Sequence, residues 1–275
     1  LRIRAVFLLN NRGAVVPFHH QYLIYEKLRE WIYDFGQQDS LTHDFCFSGI
    51  KGQTRVSKFG LQYFSSKITI VFSSTNDFLI RQLVDKIFAH QQVTIGNLHL
   101  SPESIEEEML PELKESTKYL SLSPIVLNLP ESGDAHKRFI SPETDEFSDL
   151  VFDATIKRME ASGKFSHHEL ERFTRFQLVP DKVYLHRMKE EEKKFSRIYP
   201  IMTDGLKQEV RGYTFPFELH AAPQVHQFVT KAGLGALSGR GFGMMDFANT
   251  NIPIKSLKQQ TAPAVHVTVP QFLPK

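Results

Sequence analysis

A single cysteine, Cys46, in 275 residues rules out an internal disulfide and a cysteine-based zinc site. No oxidising compartment is needed, and a cytoplasmic location is expected. Long apolar runs are also missing: the longest, Ala5 to Leu9, falls far short of the ~20 residues that cross a bilayer. A membrane is therefore not an expected partner. The first nine residues carry Arg2 and Arg4 inside their apolar stretch and lack a small-residue cleavage site, so they do not read as a signal peptide. Leu1 stands where an initiator methionine would, which raises the expectation of a trimmed chain. With 41% apolar, 12% aromatic and 23% charged residues, disorder is excluded, and the chain can fill one large core or two modest ones.

The net charge of +2 is small but unevenly spread. Between Glu103 and Glu115, six glutamates face one Lys114, a local balance of −5 that leaves +7 on the remainder. A basic remainder with an acidic connector suits a phosphate-binding surface; a solvated charged linker is the competing reading.

Hydrophobic period divides the first hundred residues. Arg2 to Leu9 reads as a strand with one buried face, and Phe45 to Ile50 and Lys67 to Ser73 as two more. Between them Ile24, Leu28, Trp31, Ile32 and Phe35 form a helical stripe that stops at Gly36, with Tyr25, Arg29 and Tyr33 one turn apart on another flank. A second helix, Asp77 to Ala89, has Asn76 as its cap, and Val93 to Leu100 closes the set. The order β-α-β-β-α-β is that of a ferredoxin-like unit. The remainder repeats it more loosely, with strands at Leu120 to Leu129, Val183 to Met188, Phe195 to Met202, Tyr213 to Leu219 and Gly241 to Phe247. Its helices are Glu143 to Ala161 and a short one from Pro223. The expected class is α+β: two tandem ferredoxin-like domains, residues 1–102 and 119–247, an acidic connector 103–118, and an extended tail 248–275 containing four prolines.

Five of the 15 glycines lie within eleven residues, at Gly233, Gly235, Gly239, Gly241 and Gly243. A loop so poor in Cβ atoms can aim successive N–H groups at an anion, and Lys231, Ser238 and Arg240 add donors. The spacing is not that of a dinucleotide fingerprint, and Gly239-Arg240-Gly241 lacks the Lys-Ser/Thr ending of a Walker loop. A hairpin without ligand and a cradle for a nucleic-acid backbone remain. Lys51 and Lys58 are further phosphate candidates. Lys182, Arg187, Lys189, Lys193, Lys194 and Arg197 read as a basic hairpin, interrupted by Glu190, Glu191 and Glu192, that could follow an RNA stem or stay solvated.

The glycine segment followed by a short strand resembles the C-terminal signature of the CRISPR repeat-processing endoribonucleases, a branch of the repeat-associated RNA-binding superfamily. Val16-Pro17-Phe18-His19-His20-Gln21-Tyr22 is similar to that family's approach to its first helix. Phe45-Cys46-Phe47-Ser48-Gly49-Ile50 resembles its second strand, and Phe139-Ile140-Ser141-Pro142-Glu143 with Glu146-Phe147 the start of its second long helix. The likeness implies RNA cleavage without a metal or cofactor, giving a 5′-hydroxyl and a 2′,3′-cyclic phosphate, with CRISPR repeat RNA as the partner. It also implies a catalytic histidine at His43. His19 and His20 are the alternative bases, since imidazole suits proton transfer near neutral pH. The family's helical tyrosine position corresponds to Arg29, flanked by Tyr25 and Tyr33, and its lysine falls near Asp44. That departure leaves Arg29 as the phosphate-stabilising cation and keeps open a repeat-RNA holder that does not cut. Association with a CRISPR effector complex, and fusion to a reverse transcriptase and an adaptation integrase as in some members, are further expectations of the likeness. The third reading is an unrelated RNA-binding ferredoxin-like tandem. The pair His167-His168 with Glu169 and His186 is a weaker metal candidate, because adjacent helical histidines diverge.

Overall fold

Alternation in the first strand translates directly into burial: Ile3, Ala5, Phe7 and Leu9 of β1 (Arg2–Leu9) all point into one core. The computed structural model describes residues 1–33, 43–127, 137–203, 206–249 and 251–259. After β1 come β2 (Val15–Val16), α1 (Gln21–Tyr33), β3 (Phe45–Phe47), β4 (Thr54–Ser57), β5 (Gly60–Tyr63) and β6 (Lys67–Ser74). Then follow α2 (Asp77–Ala89), β7 (Val93–Ile95) and β8 (Leu98–Glu108). The main sheet runs β8-β1-β6-β3, antiparallel throughout, so the first strand is central as in a ferredoxin-like unit. Ile24, Leu28, Trp31 and Ile32 of α1 and Leu79, Ile80, Leu83 and Ile87 of α2 are buried in the same core. Asn76 caps α2, its side-chain oxygen accepting from the Leu79 N–H at 3.3 Å. The expected stop at Phe35 and Gly36 lies outside the described residues.

The second unit keeps the topology but is assembled from partly different segments. It contains β9 (Ser116–Ser121), β10 (Ile125–Val126), α3 (Asp145–Ala161), the one-turn α4 (His167–Leu170), β11 (Phe176–Pro180), α5 (Lys182–Glu190) and β12 (Ser196–Thr203). β13 (Leu206–Tyr213), β14 (Phe217–Ala221), α6 (Pro223–Ala232) and β15 (Met245–Phe247) complete it. Its sheet, β11-β14-β9-β15, again has the first strand inside. The strand expected at Val183 to Met188 is instead α5, because Asp181 caps it by accepting the Tyr184 N–H at 2.9 Å. The second strand is β11, an edge strand, where terminal Pro180 leaves no central ladder bond unmade. β12 lies outside this sheet, in a hairpin with β13 that pairs with β10.

The acidic stretch and the tail also take ordered positions. Glu103 to Glu108 belong to β8, not to a connector, and their charge is met by neighbouring strands. Lys67 lies 2.6 Å from Glu103, and Arg2 and Arg4 hold the buried Glu108 at 2.5 and 2.7 Å. Within the expected tail, β16 (Ile254–Gln259) adds to the outer edge of β8 and sets Lys255 opposite Glu107. Residues 260–275 lie outside the described residues. No helix among the described residues is long and apolar enough to cross a membrane.

Candidate nucleic-acid interface

The glycine segment begins where α6 ends, and most of it faces inward. Gly233, Leu234, Gly235, Ser238, Gly239, Gly241, Phe242 and Gly243 are buried. The N–H groups of Leu234, Ala236 and Gly243 donate to Gly243, Val126 and Pro124 carbonyls at 2.7–2.8 Å, and that of Met244 to Ser123 Oγ at 2.9 Å. The structure thus gives the glycines a different reason from the expected cradle of free amides. At Gly243, φ is +69° and an added Cβ would overlap the Leu234 carbonyl oxygen. At Gly241, φ is +87° and a Cβ would stand 2.5 Å from the Phe47 ring and 3.1 Å from Gln21 of α1. At Gly241 only glycine lets the chain turn left-handed while pressed against the first unit, whereas Leu237 takes a left-handed φ of +57° with its side chain in place.

Arg158 of α3 ties this segment to His43. Its buried guanidinium donates to the carbonyls of Gly233 and Gly235 at 2.9 Å each, to His43 at 3.1 Å, and to Ala232. Burial lowers it to about 10, with Cys46 and Asp44 opposing the shift, so it stays charged at neutral pH. His43 is half-buried, two residues before β3. Next to it, the Asp44 carboxylate lies 3.3 Å from Nζ of Lys164, which follows α3. A cation therefore reaches the neighbourhood of His43 from the second unit. Sequence reasoning missed both Arg158 and Lys164, since each is more than a hundred positions from the residue it meets.

The other histidines take different places. His20 is buried, its Nε2 accepting the Ile50 N–H at 3.0 Å, which assigns the proton to Nδ1 facing the Pro17 carbonyl at 3.3 Å. Burial pushes His20 down to about 4, so it is neutral and structurally engaged, and it is not an available base in this conformation. His19 stacks edge-on against Tyr199 at 4.5 Å, and burial, with the Arg197 charge, lowers it. His167 and His186 sit on exposed helix faces beside Glu171 and Glu190, and no cluster able to hold a metal exists among the described residues.

Tyr25, Arg29 and Arg240 are brought together. The Arg29 and Arg240 guanidiniums lie 5.9 and 5.4 Å from the Tyr25 ring, so a helix flank and the end of the glycine segment converge on one phenol. Lys51 is 4.0 Å from Asp246, and burial holds its ammonium below the usual range. Lys231 is half-buried and its carbonyl accepts from the Cys46 thiol at 3.4 Å. Lys58 stands on the β4–β5 hairpin with exposed Phe59, while Arg55 covers Phe64 at 4.8 Å. The expected basic hairpin is the helix α5 and the turn after it: Arg187 lies over Tyr184, Lys193 pairs with Glu191 at 2.7 Å, and Lys194 is exposed.

Two ferredoxin-like units joined by an inward-packed glycine segment define the tandem class to which this chain belongs by fold. The family model described as CRISPR associated protein Cas6, C-terminal, matches residues 106–247, more than half of the sequence. The chain belongs to the Cas6 family. It is 24% identical over 254 residues to a Pyrococcus furiosus protein described as a putative CRISPR-associated endoribonuclease-like protein Cas6, covering 89% of this chain and 98% of the relative. Among solved structures it resembles a Cas6-related protein of Pyrococcus furiosus, with a TM-score of 0.72, 20% identity and coverage of 91% and 99%. A RAMP protein described as binding different RNA substrates gives a TM-score of 0.71, 20% identity and coverage of 90% and 99%.

Proposed function

We propose that this protein binds CRISPR repeat RNA and cuts it once per repeat by attack of a 2′-oxygen on the adjacent phosphorus. Membership of the Cas6 family across residues 106–247 carries this reading. A relative described as endoribonuclease-like and a structural neighbour described as binding RNA support it. The new O2′–P bond forms as the P–O5′ bond breaks. The 2′-hydroxyl proton passes to a base and O5′ takes one from an acid, which leaves a 2′,3′-cyclic phosphate and a 5′-hydroxyl. His43 carries a proton transfer, because imidazole can accept and return a proton near neutral pH. Lys164, Arg29 and Arg240 counter charge developing on the phosphorane. Arg240 and Lys231, at the rim of the glycine segment, contact the backbone through side chains rather than through its amides.

Incubation of the protein with a repeat RNA from its source genome in EDTA tests the reading. Cutting with a cyclic-phosphate end is expected; His43→Ala loses at least ~100-fold in rate while binding persists, and Lys164→Ala loses rate without losing the fold. Undiminished cutting by His43→Ala would remove His43 from the mechanism. A second reading, binding without cutting, is favoured by Asp44, whose carboxylate already neutralises Lys164. Tight binding with intact RNA in the same assay would select it.

A further inference from the structure

A cavity of about 140 Å³ opens between the first turns of α1, the strand β12 and the end of the glycine segment. This lies below the ~300 Å³ at which drug-sized pockets begin and suits a single flat ring system. Its walls are aromatic: Tyr22 and Tyr25 from α1, Tyr199 from β12, and Phe242, whose ring meets Tyr199 edge-on at 5.7 Å. Such rings hold a planar heterocycle by stacking, largely without regard to sequence.

The polar groups narrow the occupant. Gln21 and His19 also line the cavity, but Oε1 of Gln21 and Nδ1 of His19, both without a hydrogen-bond partner, are closed off from water and do not face it. Glu26 also lines the cavity, and its carboxylate disfavours a phosphate inside while accepting from an N–H donor. Arg240 marks the boundary, its guanidinium over the Tyr25 ring at 5.4 Å, where a nucleotide's own phosphate would lie.

We infer that this cavity receives one unstacked nucleobase of the bound RNA, of a kind that carries an exocyclic amino group. The inference rests on the proposed RNA-binding function and specifies where one base is read. The base stacks among the tyrosines, its amino group donates to the Glu26 carboxylate, and its phosphate stays outside with Arg240. Tyr22 and Tyr199 are thereby positioning residues for the strand.

The test moves an abasic residue one position at a time along the repeat RNA and measures Kd for the full-length protein, for Tyr199→Leu, and for Tyr22→Ala, whose exposed side chain is not needed for the core. Wild-type protein is expected to lose about tenfold in affinity at one position, and both variants to lose that position's penalty while keeping the others. Uracil at the same position, which lacks the amino group, reproduces most of the loss. RNA that binds tightly with no position coupled to either variant would overturn the base pocket and leave the functional reading standing. Equal affinity for all four bases there would overturn the amino-group preference. No binding of repeat RNA by folded wild-type protein would remove the functional reading and the pocket together.

Discussion

His20 shows how one side chain's surroundings separate two chemically identical residues. It and His19 are consecutive, but only His20 has both ring nitrogens engaged by backbone, and burial pushes it to about 4. The unfolded chain takes up this proton near the ordinary imidazole value of ~6.5, whereas the folded chain resists it until about 4. Between those values the unfolded state holds more protons, so stability falls as pH is lowered through the window and levels off beneath it. The slope from this residue alone reaches up to about 1.4 kcal/mol per pH unit. His19 and His226 are also lowered and act in the same direction. Urea denaturation across that range should therefore show a shallower acid slope for His20→Asn than for the wild type; an unchanged slope would mean that His20 is protonated in the fold.

At the scale of an element, the glycine segment is a packing device with a charged rim. Alanine at two left-handed glycines separates the contributions. Gly163, with φ of +65°, has nothing within 4 Å of an added Cβ, so Gly163→Ala carries only the backbone penalty of about 1 kcal/mol. Gly243→Ala adds the clash with Leu234 and is expected to exceed about 2 kcal/mol, with a correspondingly larger drop in Tm. Equal losses would show that the segment relaxes freely around the new side chain. The glycine spacing was legible from the sequence; the direction in which the segment faces was not. A run of residues without Cβ fits a tight bend against Phe47 as well as it fits an anion, and only the position of Phe47 distinguishes the two. The same limit explains α5, where Val183 to Met188 reads as a strand by itself while the Asp181 cap carries the decisive local signal.

Across the whole molecule, the two units are joined by buried cations. Arg2 of β1 holds Glu108 and donates to the Met245 carbonyl at 2.8 Å, and Arg158 links α3, the glycine segment and His43. Replacing Arg158 with Met leaves carbonyls from both units without a donor and is expected to lower stability by about 3 kcal/mol in urea denaturation. Arg158→Lys should restore only part of it, since an ammonium cannot fork across four acceptors. Cutting should fall further than RNA binding in the Met variant, because His43 loses its anchor while Arg29 and Arg240 keep theirs. An Arg158→Met protein with wild-type stability would show the join to be made elsewhere.

The sequence by itself determined what is local: the period of β1, the stripe of α1, the cap of α2, and the β-α-β-β-α-β order, since backbone geometry sets which neighbours share a face. Tertiary structure alone decided that Glu108 is buried between two arginines, that Lys164 stands beside Asp44, and that the glycines turn inward. The first joins strands of one sheet a hundred positions apart, while Lys164 beside Asp44 and Gly241 against Phe47 exist only once the two units have met; in each the energy comes from desolvation and close contact that no local segment contains.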